Sequence, residues 1–250
     1  MRTEIAKHLD HDPDFEWRGQ SVTRIENLSD IVFALALGML LLTGTPPQTF
    51  SELITFLINI VPVTAGFVIL FMIWNAHFVF FRRYGIADNT VVLLNAALLL
   101  MVLFFAYPLR FIFDGLFGYI IGSATGDYTR LVAADMMLEN SARSMGIFGA
   151  GYAIIYALLS FMYAHAFTKS EMIGLSAKER QITRLTIWIY RSQVLVAVAV
   201  AVCALFTPIG PFAGFLLILN WPNSIILSKL IGLEKKKPPP AAVLHAGVDE

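Results

Sequence analysis

Uncharged apolar runs alternate with short polar breaks along most of this chain. Several of the runs approach or exceed the roughly 18–20 residues that an α-helix needs to cross a bilayer. They predict spans over 28–43, 58–81, 90–108, 146–167, 187–206 and 210–228. The second helix is expected to begin earlier, near Ser51, and to lie partly outside the membrane core. The longest connection is 109–145, and its start, Phe111 to Ile121, is apolar enough to prolong the third helix or lie at the interface. The pattern reads as an all-α integral membrane protein. It has a polar tail over 1–20, a six-helix transmembrane domain over 21–230 and a basic, proline-rich tail over 231–250 expected to be disordered.

Composition agrees. Hydrophobic residues make up 57% and charged residues 14% of the 250, with a mean hydropathy of +0.69. A soluble domain of this length needs far more polar surface.

Loop charge then orients the spans. Fifteen of the eighteen Lys and Arg residues fall on one side of the predicted topology, and only Arg110, Arg130 and Arg143 on the other. The asymmetry places both termini in the cytoplasm, and it sorts this cleanly only for an even number of spans. The chain is therefore expected to be a multi-pass protein of the plasma membrane. The formal net charge of zero hides the asymmetry and points to no nucleic-acid partner.

Little in the chain carries catalytic chemistry. Cys203 is alone and lies in a span, so no intrachain disulfide can form. His8, Asp10, His11 and Asp12 are read as part of a solvated tail rather than a metal site. Lys235-Lys236-Lys237 and the prolines after it form a basic, helix-breaking exit at the headgroups. From the polar start no secretory leader is expected. There is no zinc-protease helix motif, nucleophile elbow, phosphate-binding glycine loop or metal-ligand cysteine cluster, so neither an enzyme nor a cofactor is expected.

The first span is the exception to the apolar pattern. Arg24, Ser29 and Asp30 run straight into the uncharged stretch Ile31 to Leu42. Ionisable side chains inside a span are costly and mark either a function or a paired structural site. Helical geometry divides them. With Arg24 at zero, Leu28, Leu35, Met39 and Leu42 fall within about 60° of it, flanked by Ile31 and Gly38, while Ser29 falls at about 140° and Asp30 at about 240°. Arg24 thus shares the apolar stripe, and Asp30 is expected to face neighbouring helices of its own subunit. Donors lie at matching depth: Trp74 and His77, three residues apart on one face of the second span, and Asn95 on the third. These residues predict a buried polar network of Arg24, Ser29, Asp30, Trp74, His77 and Asn95 at the cytoplasmic third of the bundle.

These residues resemble the transmembrane protein 175 family of potassium channels. That family opens its first helix with Arg-x-x-x-Phe-Ser-Asp, which reads here Arg24-x-x-x-Leu28-Ser29-Asp30. Val32-Phe33-Ala34-Leu35-Ala36-Leu37, Trp74-x-x-His77 with Phe81, and Leu93-Leu94-Asn95 running to Pro108 are similar as well. The resemblance covers 24–108 and implies a homotetramer in which four first helices line a central pore without a conventional filter loop. By position it implies a constriction at Leu35, Met39 and Leu42, with Gly38 where many prokaryotic members carry Thr. It also implies that the Arg, Ser and Asp belong to a structural network rather than to the ion path.

The expected activity is a weakly selective monovalent cation channel, with potassium permeant and sodium or protons as further candidates. From Leu35 to Leu42 the stripe covers about 10.5 Å. Apolar side chains offer a dehydrating cation no ligands, so such a constriction closes sterically and by dewetting. The alternative is a proton-coupled small-solute transporter in which Asp30 and His77 titrate. It lacks an inverted repeat, and the polar cluster lies at one end rather than mid-membrane.

Overall fold

The computed structural model describes residues 14–41 and 46–230, and these are all-helical, with no strand among them. The first helix, α1 (Arg24–Leu41), starts on a reciprocal cap. Thr23 Oγ1 accepts from Glu26 N at 3.3 Å, and Glu26 Oε1 accepts from Thr23 N at 2.9 Å. Helix α2 (Phe50–Ile58) opens on a second such box, Thr49 with Glu52. It breaks at Asn59 before α3 (Ile60–Tyr84). Pro62 accounts for the break, because its ring excludes the carbonyl four residues back and it has no N–H to donate. The early start expected near Ser51 is found at Phe50, as a separate short helix.

Helix α4 (Asn89–Thr125) is capped by Asp88, which accepts from Val91 N at 2.9 Å, and ends at Gly126. It is far longer than the expected 90–108. Its 37 residues extend for about 55 Å, against a hydrocarbon core of about 30 Å. Pro108 lies inside it without ending it. The expected loop over 109–145 is therefore mostly helix: the second half of α4, the short α5 (Thr129–Ala133) and the start of α6 (Leu138–Thr168).

Helix α7 (Ala177–Phe206) carries a third capping box, Ser176 with Glu179. After it the chain runs as a 3-10 helix over Gly210–Leu219 and then as α8 (Asn220–Leu230). The span expected over 210–228 is thus helical of two kinds. Helices α6 and α7 pack as a hairpin, α4 packs on α6, and α1 lies against α3 and α4. Phe33 and Leu40 of α1, Leu70 and Phe80 of α3, and Leu98 and Leu109 of α4 form the buried seam between them.

Five stretches among the described residues are long and apolar enough to cross a membrane: Phe50–Tyr84, α4, α6, α7 and Gly210–Leu227. The sixth expected span, α1, is not among them, since its 18 residues include Arg24, Glu26 and Asp30.

The tail boundary also shifts. Residues 14–20 were expected as part of a solvated tail, yet Phe15 is buried and the segment is bonded to α3 and α7. The residues named for the rest of that tail, the Lys235 to Lys237 exit and the tail over 231–250 lie outside the described residues.

Candidate functional site

Helix α1 presents two unlike faces. Glu26, Ser29, Phe33, Ala36 and Leu40 are buried against α3 and α4. On the opposite side Leu28, Ile31 and Leu35 are 56%, 66% and 55% exposed. Gly38 and Met39 are half-buried, and a Cβ added at Gly38 would meet nothing within 4 Å. The expected stripe is thus uncovered by its own chain at Leu28, Ile31 and Leu35, Met39 is partly packed against the core, and Leu42 lies outside the described residues. Arg24 is exposed at the foot of the same stripe.

The buried face is fixed by polar contacts. Ser29 donates to Ile25 O at 2.8 Å and accepts from Asn95 Nδ2 at 3.0 Å. Asn95 Oδ1 lies 2.8 Å from His77 Nε2. All three are buried, with the His77 ring against Phe33 at 5.5 Å. Trp74 Nε1 donates to Asp30 Oδ1 at 2.9 Å, but this pair is exposed and separate from the triad. Arg24 joins neither group and bonds no described residue. The single network read from the sequence is therefore divided: Ser29, Asn95 and His77 meet, Asp30 and Trp74 meet, and Arg24 stands apart. The physical reason is the angle between Ser29 and Asp30. Adjacent residues on a helix lie about 100° apart, so the two side chains reach different neighbours.

Two contacts at the ends of α1 were not read from the sequence. At its start, Arg82 Nη2 of α3 pairs with Glu26 Oε2 at 2.5 Å, with both side chains almost fully buried. The same carboxylate caps Thr23, so Glu26 fixes both the beginning of α1 and its seat on α3. At its end, Arg110 Nη1 of α4 bonds the Leu40 carbonyl, and Arg110 Nε bonds Asp114 at 3.2 Å. A terminal helix carbonyl without an intrahelical partner is thereby satisfied. The spacing Thr23-x-x-Glu26 was a readable helix-start signal. Arg82 and Arg110 looked like loop charges, and their partners lie 56 and 70 residues away.

Among the described residues no group of three or more His, Cys, Asp or Glu could hold a metal ion. Asp30 and His77 do not meet, which leaves the transporter reading without a shared titrating site.

A bundle of long apolar helices, with one short charged helix seated against it by buried pairs and showing an uncovered apolar stripe, defines a multi-pass integral membrane protein. The family model of the endosomal/lysosomal potassium channel TMEM175 matches residues 24–105, which contain α1, α3 and the first part of α4. A protein named "Potassium channel" from Marivirga tractuosa is 30% identical over 245 residues, covering 95% of this chain and 98% of that one. The crystal structure of a threonine-to-alanine variant of the potassium channel MtTMEM175, in complex with a Nanobody-MBP fusion protein, superimposes with a TM-score of 0.77. It shares 30% identity and covers 89% of this chain and 98% of its own. The chain belongs to the TMEM175 family, whose members are channels rather than enzymes.

Proposed function

We propose that this chain is one subunit of a homotetrameric potassium channel in which four copies of α1 line a central pore. The observation that carries the reading is the uncovered stripe Leu28, Ile31 and Leu35, opposite a buried face pinned by Ser29 and Glu26. A membrane helix with three charges in 18 residues is poorly suited to lipid. Set at the centre of an assembly, it can keep those charges on buried partners or at the mouth of a water-filled path. The names of the two relatives supply the permeant ion.

In this reading α1 is the first of six spans, and its length of about 27 Å fits the hydrocarbon core. Both termini are cytoplasmic, by the distribution of Lys and Arg, and the setting is the plasma membrane. Leu35, Met39 and Leu42 form the constriction, with no conventional filter loop, and it closes by contact and dewetting. Gly38 puts no hydroxyl beside it, so potassium is preferred only modestly over sodium, and protons can also pass.

The test is passive flux. Purified protein in liposomes passes potassium down its gradient with no proton gradient present, and Leu35→Ala raises that flux. Flux that runs only with a proton gradient would overturn the channel reading. A stable monomer in detergent would overturn the pore, since one subunit contributes one α1.

A further inference from the structure

Residues 14–20, ahead of α1, are built into the fold as a strap. Arg18 uses all five of its N–H donors. Nε bonds Ile173 O at 2.8 Å, and Nη1 bonds Glu16 O at 2.8 Å and Glu179 Oε1 at 2.9 Å. Nη2 bonds Gly174 O at 2.9 Å and Glu179 Oε2 at 3.0 Å. The strap is thereby locked to the α6–α7 connection and the first turn of α7. One residue on, Gly19 N donates to Arg82 O at 3.0 Å, and Arg82 Nη1 donates back to Gly19 O at 2.6 Å. The first of these bonds is backbone to backbone, and it brings the strap directly against α3. A Cβ at Gly19 would collide with the Phe81 carbonyl, and one at Gly85, whose φ is +60°, would press on the Arg18 carbonyl carbon at 3.2 Å.

The path does not stop at the strap. The second Arg82 nitrogen holds Glu26, and Glu26 holds Thr23 at the cap of α1. A path of hydrogen bonds, continued by the peptide link from Arg18 to Gly19, therefore joins the α6–α7 connection through Arg82 and Glu26 to the first turn of the helix that carries the uncovered stripe. A peripheral anchor serving stability alone would have no need to end there.

Resting on the channel reading above, we propose that Arg18 and Glu179 are positioning residues for the conducting helix. The strap transmits the placement of the α6–α7 connection to α1 and holds the constriction narrow at rest. Loosening the lock widens the range of α1 positions, which raises resting flux and blurs the choice between potassium and sodium.

The experiment measures resting potassium flux per assembled oligomer, and the potassium-to-sodium flux ratio, in liposomes. Arg18→Lys keeps the charge and loses the planar fork. Glu179→Gln keeps the volume, and Gly19→Ala lifts the strap from α3. Each variant, assembled normally by size exclusion, is expected to raise resting flux about threefold or more and to lower the ratio. The double Arg18→Lys, Glu179→Gln should exceed neither single change, because both break one lock. Lys178→Gln, which removes only the exposed pair with Asp14, should leave both readings unchanged. The two conservative variants carry the test should Gly19→Ala fail to assemble. Assembled variants with unmoved flux and ratio, beside a conducting wild type, overturn this proposal alone. An equal rise in Lys178→Gln overturns it as well. A silent wild type removes the channel reading, and this proposal with it.

Discussion

Asn95 donates its amide to Ser29 Oγ at 3.0 Å, and this bond sets which face of α1 turns away from the subunit. The bonds on either side run in one direction. Asn95 Oδ1 can only accept, so His77 Nε2 carries the proton, and Ser29 passes its own hydroxyl hydrogen to Ile25 O. The run ends on a backbone carbonyl and includes neither Asp30 nor an exposed residue, the arrangement of a brace for the helix.

Asn95→Leu should therefore destabilise the fold by about 1–3 kcal/mol, the cost of leaving a buried donor without a partner. Thermal unfolding in detergent, followed by loss of the assembled peak, measures it. Ion preference in the surviving assembled fraction should match the wild type. A variant of normal stability with altered preference would move Asn95 from the brace to the ion path.

Glu26→Ala should be the most damaging single change on α1. It leaves Arg82 buried and uncompensated, which costs about 3–5 kcal/mol, and it removes half of the helix cap. Glu26→Leu combined with Arg82→Met takes out both charges and should recover most of that loss. The thermal midpoints of the single and double variants decide the matter. A double variant worse than Glu26→Ala would mean that Arg82 is held mainly by Gly19 O.

The stripe on α1 was legible because it depends only on the angle between residues of one helix. The family resemblance over 24–108 coincides with the matched segment 24–105 for a similar reason, since its motifs are local. What sequence reading missed depends on distance along the chain. Arg82 was counted only among the basic residues of the cytoplasmic side, but it turns inward because Glu26 waits for it on another helix. Pro108 marked the end of the expected third span, with Phe111 to Ile121 read as prolonging it or lying at the interface. In a membrane helix one lost backbone bond is tolerated where neighbours re-satisfy the freed carbonyl, and α4 continues through it. The strap at 14–20 looked like tail because its anchors, Ile173, Gly174 and Glu179, lie more than 150 residues away.

Asp88 should give the fold an acid-sensitive contribution. It caps α4 and receives both His165, at 2.8 Å, and Lys169 from the end of α6. Burial alone would raise its pKa. The bonds from His165, Lys169 and Val91 N outweigh that and hold it well below its ordinary value of 3.8. A carboxylate depressed on folding stabilises fully above its ordinary pKa, and the contribution fades as pH falls through the depressed one. Asp88→Asn should then lower the thermal midpoint at neutral pH, and the gap from wild type should close on acidification. The gap should hold down to about pH 4 and close below it, so midpoints taken from about pH 7 to about pH 2 trace the closure. A gap that stayed constant would assign the loss to the helix cap rather than to charge.

Gly38 separates two explanations of the uncovered stripe. A glycine inside a helix costs roughly 1 kcal/mol against alanine, so its presence needs a reason. Close packing within the subunit is not that reason, because a Cβ there would meet nothing within 4 Å. The position is half-buried and has open space beside it, and in the proposed assembly a side chain there would project toward the axis. Gly38→Ala should raise thermal stability by about 1 kcal/mol while narrowing the path and lowering potassium flux. Gly38→Thr should place a hydroxyl beside the constriction and raise the preference for potassium over sodium in liposome flux. If Gly38→Ala instead weakens the assembled form, a neighbouring chain lies directly against this glycine, and the narrow part of the path must be sought at Leu35 and beyond Met39.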